Sequence, residues 1–384
     1  MTNNKKRILF VVPSYEIGGI TSSLYSLIRN LDSNRVGISL LCRHHVGPMK
    51  QAFEQCCFVL PENVWLSLFL VESHSIKRFV GKAIGAVRRF MRMIGVNMTP
   101  IYNKIGGKQL GLEKYDAIIS FHEGLNPIVS TYPAKKRIAW IHCDYSRQRQ
   151  MTGKDEQKEY ERFDKIVCVS GYARSVFCQI YPALNNKTTA IHNLLDVKGI
   201  KEKSLQVDDL DPRYNYSNYT ILSMGRLDPV KQFAMIPSIA AQVKCLTNKP
   251  FKWYILGGSR GFNSEENNIC NAIQQNGVEE DVILLGEKTN VYPYLAKANL
   301  YVCTSESESY PLAVNEAEVL GLPVISNDFP SASESIVDGR DGYISSIENM
   351  PKLIAEMLDH PMQIREYESK NSEILDSFYQ LIEE

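Results

Sequence analysis

The chain has 384 residues, more than one hydrophobic core usually supports, so two domains are expected. Its apolar fraction of 44% and charged fraction of 22% are those of an ordinary globular protein and exclude a disordered or fibrous chain. Nine cysteines form no C-x-x-C pair and no Cys/His spacing suited to zinc, which argues against a disulfide scaffold and favours a reducing compartment.

A net charge of zero conceals two oppositely charged halves. Residues 1–200 contain 28 lysines and arginines against 15 acidic residues, whereas residues 201–384 contain 15 against 28. We therefore expect the halves to face different partners. No run of about 18 apolar residues is present, and the apolar stretch after Arg7 ends at Pro13, so neither a membrane-spanning helix nor a signal peptide is predicted.

The N-terminal half begins with the pattern of a doubly wound α/β domain. Residues 7–12 form an apolar run typical of a buried strand, and residues 22–31 have the period of an amphipathic helix. The loop between them contains Gly18 and Gly19, which let the backbone approach a phosphate or an acceptor. Their spacing is not G-x-G-x-x-G, so no dinucleotide fingerprint is indicated.

A strongly basic segment follows between residues 73 and 112. It contains eight lysines and arginines and no acidic residue, and its apolar residues recur at three- and four-residue steps. Such a helix can lie in an anionic membrane surface, or it can pack on the domain with a solvated basic face. Nucleic acid is a poorer partner, because few aromatic residues and no binding motif accompany the cations. The cations assigned to the membrane are Lys77, Arg78, Lys82, Arg88, Arg89 and Arg92.

Four more apolar runs predict strands at 36–41, 116–121, 137–142 and 165–170. Two of them end in polar side chains, His122 and His142, which would lie at the carboxyl edge of a parallel sheet. His142 could bond a hydroxyl group of a ligand, or it could only cap its strand.

Residues 201–218 are polar, lack periodicity and are predicted to be the interdomain linker. They contain Asp209 and Asp211 in the D-x-D spacing that can bind a divalent cation. Because this pair lies in a linker and not at a strand end, we expect a solvated loop and no metal site.

The second half opens with a strand at residues 219–223, followed by G-R-L-D-P-V-K at 225–231. Arg226 offers a fork of donors and Lys231 a compact charge, and together they can clamp a diphosphate. The alternative is a turn with two solvated cations.

A βαβ unit follows around E-S-Y-P-L-A-V-N-E, which places Glu308 in a loop and Glu316 inside the helix that the loop opens. The first turn of that helix would present unpaired N–H groups to a phosphate. A sugar nucleotide, with both phosphates and hydroxyls, would suit two acids beside an anion site. The residues of this turn are Tyr310, Pro311, Leu312, Ala313 and Val314.

These motifs, in this order, resemble the G-R-L-x-x-x-K and Glu-x7-Glu elements of retaining glycosyltransferases of family 4 (glycosyl transferases group 1). Ser309 stands where the family usually has glycine. The resemblance implies the GT-B fold, an α/β architecture of two Rossmann-like doubly wound domains facing a central cleft. The implied parts are an acceptor-binding domain (1–200), the linker (201–218), a nucleotide-sugar-binding domain (219–361) and a C-terminal helix (362–384) that crosses back to the first domain.

The resemblance also implies roles for individual residues. Arg226 and Lys231 would hold the donor diphosphate and stabilise the leaving group. Glu308 would orient the transferred sugar, Glu316 would bind the ribose hydroxyls, and His142 would lie near the reacting carbon. Further donor contacts are implied at Gly18, Gly19, Gly257, Gly286 and the turn 310–314.

The function expected is retaining, metal-independent transfer of a sugar from a nucleotide-diphosphate sugar to a glycan or lipid-linked acceptor, without a cofactor. The resemblance and the basic segment together suggest bacterial surface polysaccharide biosynthesis at the cytoplasmic face of the plasma membrane. Two alternatives stay open: a sugar-nucleotide epimerase of the same architecture, and an inactive sugar-nucleotide-binding partner of another transferase, which Ser309 keeps in play.

Overall fold

A computed structural model describes residues 5–67, 75–208, 210–259, 264–362, 367 and 369–384. The chain divides into two compact units, one made of Met1–Leu194 with Lys370–Glu384 and the other of Leu195–Ser369. Each unit is built around one parallel β-sheet with helices on its faces, as expected for alternating strands and helices.

The first unit contains a parallel sheet of seven strands in the order β3-β2-β1-β4-β5-β6-β7. All five strands predicted from apolar runs in this half are confirmed. The strands are β1 Lys6–Val12, β2 Val36–Cys42, β3 Phe58–Val59, β4 Ala117–Ser120, β5 Arg137–Ile141, β6 Lys165–Cys168 and β7 Thr188–Ala190.

The second unit contains a parallel sheet of six strands in the order β10-β9-β8-β11-β12-β13, which is the Rossmann order. Its strands are β8 Tyr219–Met224, β9 Phe251–Leu256, β10 Val282–Gly286, β11 Leu300–Cys303, β12 Val324–Asn327 and β13 Gly342–Ser345. The fold class predicted from the sequence, two Rossmann-like doubly wound domains, is confirmed.

Helices connect the strands in both units. In the first unit they are α1 Gly19–Asn30, α2 Lys50–Cys56, α3 Ser75–Met93, α4 Thr99–Leu110, α5 Asn126–Val129, α6 Tyr145–Thr152, α7 Gln157–Glu161 and α8 Gly171–Ile180. In the second they are α9 Val197–Ser204, α10 Ile236–Leu246, α11 Ser264–Asn276, α12 Tyr292–Lys297, α13 Leu312–Val319, α14 Ala332–Ser335 and α15 Met350–Asp359. The last helix is α16 Asn371–Glu383.

Helix α16 belongs to the first unit although it ends the chain. Its Phe378 ring stacks on the ring of Phe10 in β1, with centroids 6.1 Å apart. At the surface, the Glu383 carboxylate accepts a hydrogen bond from Arg35 at 2.7 Å. Aromatic burial therefore holds this helix, and the exposed ion pair adds little.

The boundary between the units differs from the predicted one. Helix α9 belongs to the second unit, where Ile200 packs against Val319 of α13. Asp211 is not in a solvated loop either, because its carboxylate is paired with Arg213 at 2.9 Å and with Lys288 at 2.7 Å. Asp209 lies outside the described residues. The second unit thus begins at Leu195, well before the strand at residue 219 where the sequence predicted the domain to begin.

Candidate functional site

The strand order of the second sheet determines where a ligand can bind. Strand β8 lies between β9 and β11, so the chain winds outward in opposite directions from this point. A crevice forms at the carboxyl ends of such strands, and ligands of open α/β sheets bind there. Arg226 and Lys231 follow β8, and Glu308 follows β11.

At this edge Lys231 and Glu308 form an ion pair between Nζ and Oε1. The same carboxylate oxygen accepts a hydrogen bond from the Ser305 hydroxyl at 2.7 Å. The two charged side chains are only 20% and 17% exposed, so they interact more strongly than a surface pair. Two residues that are 77 positions apart in the chain are therefore brought together at this edge of the sheet.

Hydrogen bonds hold the two loops that carry this pair. The Thr304 hydroxyl donates to the backbone carbonyl of Lys231 at 2.7 Å. The Ser331 hydroxyl donates to the backbone carbonyl of Glu308, also at 2.7 Å. Both bonds hold the backbone of the two residues that carry the charges, so the ion pair is pre-organised.

Electrostatics keeps the clamp cationic. Burial alone would lower the pKa of Lys231, but the carboxylate of Glu308 outweighs it and the pKa of Lys231 is raised. Arg226 is 64% exposed, and its Nη2 atom is 3.7 Å from a carboxylate oxygen of Asp228. The edge therefore carries one enclosed ammonium and one accessible guanidinium, a combination that can bind an anion with several oxygens.

Helix α13 begins beside the pair, and no side chain caps its first turn. The first N–H groups of an uncapped helix favour an anion, which is the role that the sequence predicts for the turn 310–314. Ser309 is buried and keeps a negative φ, so the family glycine is not needed for the shape of this loop. Serine at this position leaves Glu308, Glu316 and the start of α13 in place.

Glu316 lies in α13 and is half-buried. Its Oε1 atom accepts a hydrogen bond from the Tyr292 hydroxyl at 3.0 Å. Burial raises the pKa of Glu316 to about 7, against the opposing effects of Tyr292 and Lys203. This carboxyl can therefore change charge near neutral pH, which is typical of a functional position.

Two glycines of the predicted donor site stand at the ends of neighbouring strands. A Cβ atom on Gly257 would lie 1.9 Å from the carbonyl oxygen of Gly225, so only glycine fits there. Gly286 has a φ of +77°, in the left-handed region, with open space around it. Gly257 therefore packs strand ends together, whereas Gly286 leaves room for a ligand against the backbone.

In the first unit, His142 follows β5 and its ring lies among aromatic side chains. Its centroid is 4.6 Å from that of Phe121. Its Nε2 atom is buried and has no hydrogen-bond partner among the described residues. Burial lowers the pKa of His142 to about 4, although the neighbouring Glu123 opposes the shift. The imidazole is therefore neutral at physiological pH and has an unused ring nitrogen.

The other candidate of this edge, His122, has a local structural task. Its Nδ1 atom accepts a hydrogen bond from the backbone N–H of Gly124 at 2.9 Å, which caps a short 3-10 turn.

Gly18 precedes α1 in an extended conformation, and Gly19 is the first helical residue. No side chain caps the first turn of α1.

Helix α3 carries the basic segment and shows an apolar stripe to solvent. Phe79, Phe90 and Met93 are 75%, 61% and 85% exposed. Lys82 and Arg89 are exposed too and flank this stripe at helical spacing. An exposed stripe of this kind marks an interaction surface more often than a solvated helix face.

Arg88 differs from the expectation that it faces a membrane. Its guanidinium donates to the backbone carbonyl of Trp65 at 3.1 Å and lies 4.9 Å from the ring centroid of Tyr102. Arg88 therefore fixes α3 to the domain, while the phenylalanines point away. The side chains of Lys77, Arg78 and Arg92 lie outside the described residues.

Sequence reasoning missed Ser305 and Tyr292, which bond the two acids of the Glu-x7-Glu element. Ser305 is three residues before Glu308, a spacing that could have indicated a contact. Tyr292 is 24 residues from Glu316 and only the fold brings it there.

Across the described ranges, no group of three or more His, Cys, Asp or Glu is placed to hold a metal ion. In the same ranges no helix has the length and apolar character needed to cross a bilayer.

A protein-family model described as "Glycosyl transferases group 1" matches residues 211–373. The match covers less than half of the chain and falls almost entirely in the second unit, which is therefore similar to a glycosyl transferases group 1 domain. The match covers the clamp, both acids and Tyr292, so the family motifs lie where the geometry places the site.

A curated relative of this chain is an N-acetylgalactosaminyltransferase of Campylobacter jejuni that acts on a diphospho-undecaprenol-linked sugar. It is 29% identical over 164 residues, which are 42% of this chain and 41% of that protein. The chain thus spans about two fifths of the length of this relative.

Solved structures resemble the whole chain. HepE from Anabaena, solved with UDP-glucose, has a TM-score of 0.71 at 17% identity and covers 98% of each chain. A TarM variant from S. aureus, solved with UDP, has a TM-score of 0.68 at 13% identity and covers 99% of this chain and all of that one. At such identities the likeness shows the fold, and the predicted GT-B fold is confirmed.

Proposed function

We propose that this protein is a retaining glycosyltransferase that moves a sugar from a nucleotide-diphosphate sugar to a glycan or lipid-linked acceptor. The observation that carries the proposal is the enclosed Lys231–Glu308 pair at the switch point of the second sheet, beside Arg226 and the uncapped start of α13. This edge offers positive charge for a diphosphate and acids for hydroxyl groups, and a sugar nucleotide needs both.

The proposed step breaks the bond between the anomeric carbon and the diphosphate oxygen. The acceptor oxygen bonds to the same face of that carbon, and its proton passes to an oxygen of the departing diphosphate. Charge therefore builds up on the diphosphate, where Arg226, Lys231 and the first N–H groups of α13 can stabilise it. Glu308 orients the sugar, and Glu316 accepts hydrogen bonds from the ribose.

We further propose that the diphosphate is neutralised by these protein groups without a divalent cation. Lys231 has three N–H donors and uses one on Glu308, which leaves two for phosphate oxygens. Arg226 adds a fork of donors from an exposed position. Adding EDTA should therefore leave turnover unchanged, and a loss that Mg²⁺ restores would contradict this part of the proposal.

On the acceptor side, we propose that His142 bonds an acceptor or sugar hydroxyl through its unused Nε2 atom. A neutral imidazole suits this task because it can accept a hydrogen bond from a hydroxyl group without bringing a charge. The exposed stripe of α3, flanked by Lys82 and Arg89, would rest on an anionic membrane surface where a lipid-linked acceptor resides. Biosynthesis of a bacterial surface polysaccharide at the cytoplasmic face of the membrane is the process these features fit.

The test is a panel of UDP-, GDP-, ADP- and dTDP-sugars, each incubated with a bacterial membrane extract, with release of nucleoside diphosphate as the readout. We expect one donor to be consumed by the parent protein and not by Lys231→Ala. The anomeric configuration of the product, read by NMR, should equal that of the donor. Absence of turnover with every donor, although nucleoside diphosphate still binds, would support the inactive-partner alternative instead.

A further inference from the structure

A chain of contacts leads to Glu316 from residues that directly follow the boundary between the units. Leu195 and Ile200 pack with Val319 of α13, and Tyr292 of α12 joins the same apolar cluster. The Tyr292 hydroxyl then donates to Glu316 at 3.0 Å. Tyr292 lies outside the G-R-L-x-x-x-K and Glu-x7-Glu elements.

Hydrogen bonds connect the loop before Tyr292 to the chain segment that follows the boundary between the units. The Asn290 side-chain amide donates to the backbone carbonyl of Lys203 at 3.0 Å and to the side chain of Gln206 at 3.3 Å. Its Oδ1 atom accepts from the backbone N–H of Tyr292 at 3.2 Å. Asn290 therefore fixes both the loop and the first residue of α12.

A second fastening lies at the start of this loop. Lys288 pairs with Asp211 at 2.7 Å, and Arg213 donates to the backbone carbonyl of Leu284 at 3.3 Å. The backbone of Asp211 donates to the Tyr294 hydroxyl at 2.8 Å. The loop after β10 is thus held at Lys288 and at Asn290, and these contacts restrain Tyr292 beside Glu316.

Few charged groups face the carboxyl of Glu316. From α12 comes Tyr292, and from α9 comes Lys203, whose Nζ lies 5.9 Å from the centre of the Tyr292 ring. Both favour the ionised carboxylate, whereas burial opposes it. Burial and Glu316 raise the pKa of Tyr292 well above its ordinary value, and Asp196 at the start of α9 adds to this shift, so the hydroxyl stays protonated and can donate to the carboxylate.

We propose that Tyr292 is a positioning residue for Glu316, supported by Lys203, and that it keeps the carboxylate charged and aimed at the ribose hydroxyls of the donor. The inference rests on the proposed role of Glu316 in binding ribose. A ribose hydroxyl donates a stronger hydrogen bond to the charged carboxylate than to the neutral carboxyl, so protonation of Glu316 weakens this contact. Nucleotide affinity should therefore fall as the pH drops through about 7.

Tyr292→Phe removes the hydrogen bond and leaves the packing. Without it the pKa of Glu316 rises further, so the pH at which affinity is lost should move upward by about one unit. The probes are UDP, GDP and ADP, which share the ribose, and their binding is measured by calorimetry from pH 5.5 to 9. At pH 7 we expect five- to tenfold weaker binding, and at pH 9 the variant and the parent should converge.

Tyr219→Phe is the matched control, because it removes a buried hydroxyl that has no partner among the described residues of the same unit. It should leave the affinity and its pH dependence as in the parent. A loss in Tyr292→Phe that is equal at all pH values would indicate a merely structural role and would overturn the inference.

The two proposals can fail separately. Glu316→Gln should abolish the pH dependence; if it does, and Tyr292→Phe leaves the profile unshifted, only the positioning role is wrong. If Glu316→Gln binds all three probes like the parent, or if the parent binds none of them, the role of Glu316 in ribose binding is wrong as well.

Discussion

The two sheets share a strand order around their switch points but place different chemistry at their carboxyl ends. In the second unit the functional side chains are charged and engaged, as in the Lys231–Glu308 pair and the Tyr292–Glu316 hydrogen bond. In the first unit His142 is neutral, lies against Phe121 and has a ring nitrogen without a partner. The same topology therefore carries a charged pair in one unit and a neutral imidazole in the other.

This difference fits the two substrates of the proposed reaction. A diphosphate is held by charge, and charged groups need partners while the site is empty, because an unpaired buried charge is costly. An acceptor hydroxyl is held by neutral hydrogen bonds, and a neutral imidazole can stay without a partner at a smaller cost. The pairing of side chains thus indicates which substrate each edge receives.

The largest expected effect comes from Lys231→Ala. It removes a charge from the leaving group and leaves Glu308 without its cation, so turnover should fall about a hundredfold to a thousandfold. Lys244→Ala is the matched control, since it breaks an exposed pair with Asp281 in the same unit. Comparable losses in both variants would show that the clamp contributes no more than any surface charge.

Next in size is the effect of Phe79→Ser with Phe90→Ser on membrane association. Flotation with vesicles of phosphatidylglycerol and phosphatidylcholine should show ten- to hundredfold weaker binding, because two exposed aromatic side chains no longer enter the bilayer surface. Arg89→Ala should weaken binding less and mainly at low salt. Equal flotation of the double variant and the parent would remove the membrane from the proposal.

Glu316→Gln should stabilise the fold while it damages nucleotide binding. The folded-state pKa of about 7 lies above the ordinary value of 4.5, so the stability that Glu316 contributes is present below pH 4.5 and is lost as the pH rises through 7. At pH 8 the variant should gain about 1–2 kcal/mol in free energy of unfolding by urea titration. At pH 4 the two proteins should be alike, and a gain there would point to another cause.

The smallest effect is expected for His142→Gln, which should lower kcat about two- to tenfold through one lost neutral hydrogen bond. Because burial lowers the pKa of His142 to about 4, NMR should show this imidazole neutral throughout pH 5.5–8. His122→Gln is the comparison, since it disturbs a turn and should cost stability without changing kcat. A titration of His142 near pH 6.5 would contradict the expectation that burial keeps this imidazole neutral.

Much of this arrangement could be predicted from local sequence patterns. Strands such as Arg137–Ile141 are continuous apolar runs, and Arg226, Lys231 and Glu308 meet because parallel strands end at one edge. The family motifs then indicated which of the polar residues matter. Periodicity also predicted α3, since its apolar residues recur at helical steps.

What could not be predicted depends on which surfaces meet. Periodicity shows that α3 has an apolar stripe, but not that Arg88 docks the helix on Trp65 and turns the stripe outward. The polar composition of residues 201–218 suggested a linker, yet Asp211 pairs with Lys288, 77 positions away, as well as with nearby Arg213. Tyr292 meets Glu316 only through the packing of α12 on the sheet.

The place of Trp65 beneath Arg88 gives the protein a built-in optical reporter. The chain has three tryptophans, and Trp140 and Trp253 are fully enclosed in their cores. Trp65 is half-buried, and its backbone carbonyl holds the guanidinium of Arg88. Any rearrangement of α3 on a lipid surface should shift the emission of this single indole, so engagement can be followed in real time without attaching a dye.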